Sequence, residues 1–228
     1  MRLTRLALIL AAPLLLVSCL LTPGKFVSTL DIRADRGFTF TYAGEVIATE
    51  EKMDDTKACE MVEGCDPKAV AGEKAKKAAD KEAKLRGIAE ALQREVGYRS
   101  VEYLGERTFR VDYAASGRLD RNFVFPFNSD AAAVFPWIAI ELRKDGTARI
   151  KAPGFGEDND MPGAGEMPPM GDSSSKRDGT FTLTTDAELV MQNEEGGIQP
   201  GPDGSKKIVW RVTPTSKTVP TAVIRFSK

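Results

Sequence analysis

The stretch of sequence that decides the fold is FVSTLDIRADRGFTFTYAGEVIA, residues 26 to 48. Apolar side chains alternate with polar ones on both sides of a short segment, Asp35-Arg36-Gly37. The apolar set is Leu30 and Ile32 before that segment and Phe38, Phe40 and Tyr42 after it. Alternation is typical of strands with one buried face, and aspartate and glycine supply turn chemistry. The stretch therefore predicts an antiparallel β-hairpin.

A second pattern begins at Asp66-Pro67, where the composition changes to Ala, Lys and Glu as far as about Gly97. The apolar positions of its second half fall on one helical face; they are Leu85, Ile88, Ala89, Leu92 and Val96. This spacing predicts one amphipathic helix whose second half docks on a sheet. The first half, 68 to 84, has only alanine and Val70 to bury. We expect it to project into solvent or to pack loosely, with its mixed charges as a solvated face.

Strand patterns return after the helix. They cover 101–103, 109–113, 123–127, 138–142, 148–150, 181–183, 189–191, 208–212 and 222–226. Two strands, one helix and then further strands, without βαβ repetition, predict an α+β domain with an antiparallel β-sheet and one long amphipathic helix after the first hairpin. We expect a single domain over 26–228, with a flexible Met/Pro/Gly-rich loop at 153–178.

The N-terminus has the anatomy of a signal peptide. Arg2 and Arg5 precede an apolar run from 6 to 17, which is short of the roughly 20 residues that a transmembrane helix needs. Residues 1–18 are therefore predicted to be removed. The following Leu16-Val17-Ser18-Cys19 matches a lipobox, so the chain resembles bacterial lipoproteins. An ordinary signal peptide with a chance cysteine, or a short uncleaved anchor, is the alternative.

That resemblance implies that Cys19 takes a diacylglycerol and an acyl chain on its amine, which together anchor the protein stably. Residues 19–25 would be a lipidated tether for an extracytoplasmic domain in the cell envelope. Leu20 follows the cysteine. In envelopes where an aspartate at this position retains lipoproteins in the inner membrane, Leu20 favours the outer membrane, facing the periplasm.

The two remaining cysteines, Cys59 and Cys65, lie close together in the sequence. With Cys19 lipidated, they form the one available intramolecular pair, and extracytoplasmic compartments preserve disulfides. We predict a Cys59–Cys65 disulfide. A metal site is the alternative, but two thiols in a chain without histidine are a poor ligand set. We expect neither a metal nor a cofactor.

The composition also excludes classes of function. Without histidine, Ser-His, Cys-His and His-metal arrangements cannot form. Paired carboxylates such as Asp112 with Asp120, or Glu141 with Asp145, fall on outward strand positions or at a turn, where a solvated carboxylate is expected. Removal of residues 1–18 leaves 30 basic and 33 acidic residues, a net charge of −3. We therefore expect no enzyme and no nucleic-acid partner.

Two groups in the long loop have the chemistry of metal ligands. Glu157, Asp158 and Asp160 could take Ca²⁺, and Met161, Met167 and Met170 could take Cu(I). The EF-hand spacing is not met, and the prolines give the segment a linker composition. We interpret the loop as an acidic, low-complexity connection.

Aromatic residues are densest on the strands after the helix. The set is Phe109, Tyr113, Phe123, Phe125 and Phe127. Strand-face aromatics usually form core, and the alternative is the lining of a hydrophobic ligand site. Two functions follow: binding a lipid or other hydrophobic envelope molecule, or a structural role in assembly in which the domain docks on another envelope protein.

One further resemblance concerns the mature domain. A lipidated cysteine, the hairpin at 26–48, one helix, more strands and a late Thr-rich strand before Ile208-Val209-Trp210-Arg211-Val212 resemble the LppM-like group of bacterial lipoproteins. The resemblance implies a lipid-binding role. The chain differs from that group in its loop at 153–178 and in having no apparent transmembrane helix after Phe226.

Overall fold

The computed structural model describes residues 20–49, 67–126, 136–157 and 176–227. Within them the chain forms twelve strands and one α-helix. The elements are β1 (Leu20–Ile32), β2 (Gly37–Thr49), α1 (Pro67–Leu92), β3 (Tyr98–Gly105), β4 (Thr108–Arg118), β5 (Phe123–Phe125), β6 (Ile138–Leu142), β7 (Thr147–Lys151), β8 (Asp178–Thr185), β9 (Glu188–Gln192), β10 (Gln199–Pro200), β11 (Lys206–Val212) and β12 (Thr221–Arg225).

The strands form two sheets. One has seven strands in the order β10-β11-β8-β1-β2-β4-β3, and the other has five in the order β5-β6-β7-β12-β9. The predicted hairpin is confirmed, because β1 and β2 pair antiparallel with Leu30 opposite Phe40 and Ile32 opposite Phe38. The helix after the hairpin is confirmed as well.

The prediction of one antiparallel sheet was wrong in two respects. The strands are divided between two sheets, and β1 pairs with β8 in parallel, with Leu30 opposite Leu183. Alternation along a strand shows which face is buried. It does not identify the neighbouring strand, so the two-sheet, mixed arrangement follows from long-range packing.

The core lies against one face of the seven-stranded sheet. Its large, fully buried side chains come from both sheets and include Leu30, Phe40, Tyr42, Ile138, Ile140, Ile150, Phe181, Leu183 and Ile208. The opposite face of this sheet carries short polar side chains, among them Thr29 and Thr41, whose hydroxyl oxygens lie 2.6 Å apart. Each long strand thus separates an apolar face from a polar one, as its alternation requires.

Asn193 links the two sheets through its side chain. Its Oδ1 accepts hydrogen bonds from Trp210 Nε1 in β11 and from the backbone N–H of Thr221 in β12, at 3.1 and 2.9 Å. Its Nδ2 donates to the Val219 carbonyl at 2.7 Å. A half-buried amide with all of these groups paired fixes the position of one sheet relative to the other.

The helix α1 ends at Leu92, five residues before the predicted limit. Leu85 and Ala89 are buried and Leu92 is half-buried, so the docking of the second half is confirmed. Ile88 and Val96 were wrongly assigned to the docking face: Ile88 is 46% exposed, and Val96 lies beyond the helix and is 97% exposed. The helix rests on the sheet along a strip narrower than the apolar pattern indicated.

Residues 20–25 of the predicted tether at 19–25 belong to β1. From Leu20 the chain pairs with β2, and Leu20 lies opposite Thr49. The register shifts between Pro23 and Phe26, which lets pairing continue on both sides of that irregularity. The Leu21 carbonyl also accepts a hydrogen bond from Trp137 Nε1 at 3.1 Å. The first described residue therefore already belongs to the folded domain.

Both ends of the predicted flexible loop at 153–178 are also ordered. Pro153–Phe155 is a 3₁₀ turn, Phe155 is completely buried, and its ring stacks on Phe26 with centroids 4.3 Å apart. Arg177 is buried, and Asp178 begins β8. A single large aromatic side chain that finds a place in the core orders the segment around it. Residues 158–175 lie outside the described part of the chain.

Candidate functional site

The predicted aromatic set is divided between two places. Phe125 is buried and lies 4.5 Å from Tyr113 between ring centroids. Phe123 belongs to the same cluster through Phe40, 5.6 Å away. Phe109 packs instead on Tyr103, with centroids 5.1 Å apart. Phe127 lies outside the described residues, so its predicted role stays untested.

The rings around Phe125 contact one another directly. Its neighbours are Phe40 at 5.0 Å, Tyr42 at 5.6 Å, Tyr113 at 4.5 Å and Trp137 at 5.8 Å. Burial raises the pKa of Tyr42 well above 10. Burial also raises the pKa of Tyr98, with contributions from nearby Tyr113 and Glu95, to about 12. Rings at these separations fill the space between them. Phe38, Tyr113 and Phe123 are only half-buried, so the cluster has an accessible flank.

Two surface cavities lie elsewhere, at the margins of the seven-stranded sheet. One, of about 530 Å³, is lined by Asp31, Arg33, Gly37, Phe38, Thr39, Ser116, Gly117, Thr184, Pro202, Asp203 and Ser205. The other, of about 410 Å³, is lined by Lys25, Phe26, Val27, Ala43, Asp178, Gly179, Thr180 and Arg211. The residues lining the first are mainly polar or charged, whereas those lining the second are polar and apolar in equal number. Apart from Phe38, neither contains a ring of the Phe125 cluster.

The carboxylates of Asp112 and Asp120, which the sequence analysis paired, each lie beside an arginine instead. Asp112 lies 3.9 Å from Arg99 and Asp120 lies 3.2 Å from Arg118, and each carboxylate is largely exposed. Hydrogen bonds from Thr147 lower the pKa of Asp145. The lowered pKa keeps Asp145 in its ionised form, which is the opposite of what a general acid needs.

Among the described carboxylates, Asp31 has a raised pKa. Partial burial is the main cause, Asp186 adds to it, and Arg33 opposes it. Asp31 lines the 530 Å³ cavity together with Asp203 and Arg33. These residues place a partly buried carboxylate beside solvent, in a cavity whose lining also includes hydroxyl side chains such as Ser116 and Ser205.

The described N-terminal half of α1 carries exposed side chains. Lys76, Ala78, Ala79, Asp80, Lys81, Ala83 and Lys84 are all exposed, and Glu82 is half-buried. Glu82 contacts the sheet, because its carboxylate accepts a 2.6 Å hydrogen bond from Tyr103 Oη. Arg86 then lies over the Tyr103 ring at 6.0 Å. The turns before Glu82 correspond to the part of the helix predicted to project.

The direction of α1 places these turns at one end of the domain. Glu82 lies against Tyr103, late in β3, whereas the end of the helix leads back to Tyr98 at the start of β3. The helix therefore runs opposite to β3, and the turns before Glu82 continue beyond its far end. The neighbouring chain at that end is Gly105, Thr108 and the last residues of β2.

That same end holds the beginning of β1. Ile47 pairs with Thr22 on one side and with Thr108 on the other, and Leu20 lies two residues further out. Cys19 precedes Leu20 directly. A lipid on Cys19 would thus lie at the end of the domain from which α1 projects. Cys19 itself, Cys59 and Cys65 lie outside the described residues, so lipidation and the disulfide stay predictions.

The sequence did not indicate that one charged residue, Arg177, is buried. Arg177 is only 2% exposed, and its Nη1 donates to the carbonyls of Gly154 and Gly156 at 3.4 and 3.1 Å. Its Nε and Nη2 are buried and have no hydrogen-bond partner within the described residues. Burial lowers the pKa of this guanidinium, and nearby Glu157 opposes the effect. In the sequence Arg177 stands in a polar segment, which signals exposure rather than burial.

Within the described residues, no group of three or more histidine, cysteine, aspartate or glutamate side chains is arranged to hold a metal ion. Likewise, none of the described helices combines the length and the apolar character needed to cross a bilayer.

No family model and no curated protein matches this sequence. Among solved structures, the chain is similar to the folded domain of the Mycobacterium tuberculosis LppM protein, determined by NMR. The two are 15% identical, the match covers 91% of this chain and 92% of the other, and the TM-score is 0.35. A likeness of this size assigns neither a function nor a site to the chain.

Proposed function

We propose that this protein is a membrane-anchored, extracytoplasmic lipoprotein without enzymatic activity, which docks on another envelope protein through the projecting half of α1. The observation that carries the proposal is the exposure of Lys76, Ala78, Ala79 and Asp80, in the turns of α1 before Glu82, whose carboxylate binds Tyr103 of the sheet. A helix held at one end and exposed at the other presents a rigid, preformed surface to a partner.

The position of the anchor supports this role. Residues 67 to 81 of α1 would extend about 22 Å as a helix, at 1.5 Å a residue. They start from the end of the domain where Leu20 begins β1. Because no tether separates Leu20 from the fold, a lipid on Cys19 would hold this end of the domain at the membrane. The projecting helix would then meet partners located at or near the membrane surface.

The charges on the projecting half favour a protein partner over a bilayer. Residues 67 to 84 carry six lysines, and three acidic residues, Glu73, Asp80 and Glu82, are interleaved with them along the helix. Anionic membranes select clusters of basic residues, and interleaved acidic residues weaken that attraction. A protein surface can match both signs at once.

The test places a photo-cross-linking amino acid at Lys76 of the full chain in cells. We expect one defined protein adduct, visible as a discrete band and identified by mass spectrometry, because the exposed helix holds its partner at a fixed distance. The matched control is Lys144, an exposed lysine in the β6–β7 turn. In that turn the Gly146 carbonyl accepts a hydrogen bond from the backbone N–H of Phe226. The Phe226 ring lies 5.1 Å from Arg36, which stands between β1 and β2 at the end of the domain opposite to Leu20.

A protein adduct at Lys76 and none at Lys144 supports docking through α1. Equal adducts at both positions indicate random collision, and lipid adducts alone at Lys76 indicate that the helix lies on the membrane. Either of these results contradicts the proposal.

A second candidate function is binding of a lipid or other apolar envelope molecule at the aromatic cluster. It is favoured by the half-buried rings of Phe38, Tyr113 and Phe123, which leave one flank of the cluster accessible. Native mass spectrometry of the detergent-extracted protein tests it. We expect a noncovalent lipid that dissociates at higher collision energy, while a covalent anchor stays attached. Absence of such a species, even after addition of lipid extract, contradicts this second function.

A further inference from the structure

We propose that the cavity of about 530 Å³ binds a neutral, linear glycan of the cell envelope. Its floor is the polar face of the seven-stranded sheet, which contributes Asp31, Thr39, Ser116 and Thr184. Its wall is the 3₁₀ turn Pro202–Gly204 with Ser205, whose Oγ donates to the Pro202 carbonyl at 2.6 Å. A cavity of this volume lies within the roughly 300–1,000 Å³ of small-ligand sites. A ligand therefore has room between the sheet and an ordered turn.

The floor presents polar side chains at a regular spacing. Thr39 lies directly opposite Asp31 on one side and Ser116 on the other, and Asp31 lies opposite Thr184. These residues belong to four neighbouring strands, which stand about 4.8 Å apart, so the row is about 14 Å long. The interval is close to the length of one sugar ring. A linear glycan laid across the strands would meet one polar side chain at each ring.

A donor and an acceptor stand side by side in this cavity. Arg33 Nε lies 3.9 Å from Asp31 Oδ1, which is longer than a hydrogen bond. A hydroxyl oxygen placed between them can lie about 2.8 Å from both, donating to the carboxylate and accepting from the guanidinium. Arg33 is also attracted to Asp186, 4.0 Å away, which is itself fixed by a 2.6 Å hydrogen bond from the Ala34 N–H. The pair is thus in place before a ligand arrives, which lowers the cost of binding.

The charges of the lining favour a neutral ligand. Asp31 and Asp203 are acidic and Arg33 is basic. The two carboxylates disfavour a phosphate or carboxylate ligand, and the guanidinium disfavours a cation. A sugar carries neither charge, and each of its hydroxyls can donate and accept a hydrogen bond. It therefore suits a lining that combines carboxylates, a guanidinium and hydroxyl groups.

The location of the cavity fits a glycan better than a lipid of the anchoring membrane. Asp31 follows Leu20 by eleven residues in the same strand, a length of about 36 Å at roughly 3.3 Å a residue. An anchor at Cys19 would hold the cavity that far from the bilayer, among the glycans of the envelope. This step rests on the proposed anchor. Sugar binding itself does not depend on docking through α1, which lies at the other end of the domain.

The experiment titrates two neutral linear tetrasaccharides, tetra-N-acetylchitotetraose and maltotetraose, into the full chain by isothermal titration calorimetry. The detergent must lack a sugar headgroup, since such a headgroup would compete for the site. We expect saturable binding of at least one probe with a Kd of about 1 mM or lower. Binding of the chitin fragment alone supports an amino-sugar glycan. Binding of maltotetraose, alone or as well, supports recognition of sugar hydroxyls.

Asp31→Ala should raise the Kd at least tenfold, because it removes a charged acceptor. The matched control is Asp112→Ala: Asp112 also lies 3.9 Å from an arginine and has a similarly exposed side chain, 45% against 41%. It lies outside the cavity, so the Kd should stay the same. Thr184→Val removes one hydroxyl at constant shape and should raise the Kd roughly three- to tenfold, which keeps the test decisive if Asp31→Ala does not fold.

Two results overturn the proposal. One is a wild-type protein that neither tetrasaccharide saturates by about 10 mM. The other is an equal change of the Kd in the Asp31 and Asp112 variants, which would show that the sugar does not bind in the cavity. Neither result affects the cross-linking test at Lys76, so failure of this inference is distinguishable from failure of the proposed docking.

Discussion

Replacement of Phe40 by alanine is expected to lower the free energy of unfolding by about 3–5 kcal/mol, a large fraction of the stability of a typical domain. Phe40 is completely buried and its ring lies 5.0 Å from Phe125, 5.6 Å from Phe123 and 6.1 Å from Tyr113. Truncation removes the ring on which the others pack and leaves a cavity between the sheets. Urea denaturation, read as a fall in midpoint, measures the effect.

Two further variants separate the cavity from other causes. Phe40→Leu keeps an apolar side chain of intermediate volume and should cost roughly 1–2 kcal/mol. Val27→Ala, on the open face of β1 where Val27 is 56% exposed, should change stability by less than about 0.5 kcal/mol. A loss below about 1 kcal/mol for Phe40→Ala would show that the aromatic cluster is loosely packed. That result would favour the ligand-binding role of the accessible flank.

Replacement of Gly179 by alanine is expected to cost about 3 kcal/mol, although it adds a single methyl group. Gly179 lies in β8 directly opposite Phe26 of β1. An added Cβ would overlap the Phe26 carbonyl oxygen and lie 2.7 Å from Cδ1 of its ring. The Phe26 ring cannot withdraw freely, because it stacks on Phe155 at 4.3 Å and on Tyr42 at 5.7 Å. The methyl group must therefore displace backbone.

Gly117 in β4 provides the matched control. Its added Cβ would meet only Phe38 Cε1 at 3.7 Å, an ordinary contact. Gly117→Ala should leave stability unchanged or raise it by up to about 1 kcal/mol, because alanine restricts the unfolded chain. Thermal unfolding of both variants makes the comparison. Similar melting temperatures for the two would contradict the close approach of β8 to Phe26.

The first hairpin and the helix were predictable because their signals are local. Leu30, Ile32, Phe38 and Phe40 alternate over a few residues, and that alternation follows from strand geometry whatever the neighbours are. Leu85, Ala89 and Leu92 mark the docking strip of α1 in the same way. Ile88 fits the same pattern but is exposed, since the sheet meets the helix along one narrow strip.

Pairing between distant strands was not predictable from such signals. Thr182 and Leu183 in β8 join Thr29 and Leu30 in β1, far away in the sequence. No property of either segment alone selects the other. The choice depends on how the whole chain closes its core, including the burial of Phe155 from a segment whose composition indicated a flexible loop.

The candidate sites were also only partly predictable from the sequence. The high density of aromatic residues was apparent in the sequence. Only the register of the strands shows that these residues form a group around Phe125 and a separate pair of Phe109 with Tyr103. Arg177 was not visible at all. Burial and missing partners are properties of the surroundings of a side chain, and a sequence that places an arginine among polar residues indicates the reverse.

What the sequence determined by itself is local chemistry: the run from Arg2 to Cys19 that predicts a lipid anchor, the absence of histidine, and the periods of strand and helix. The tertiary structure decided which strands are neighbours, that residues 20–25 belong to β1, and that the exposed turns of α1 before Glu82 lie at the same end of the domain as Leu20. The physical reason is the distance along the chain between the residues that interact. Periodicity and motifs depend on adjacent residues, whereas pairing, burial and the relative position of anchor, helix and Arg177 depend on contacts between segments far apart in the chain.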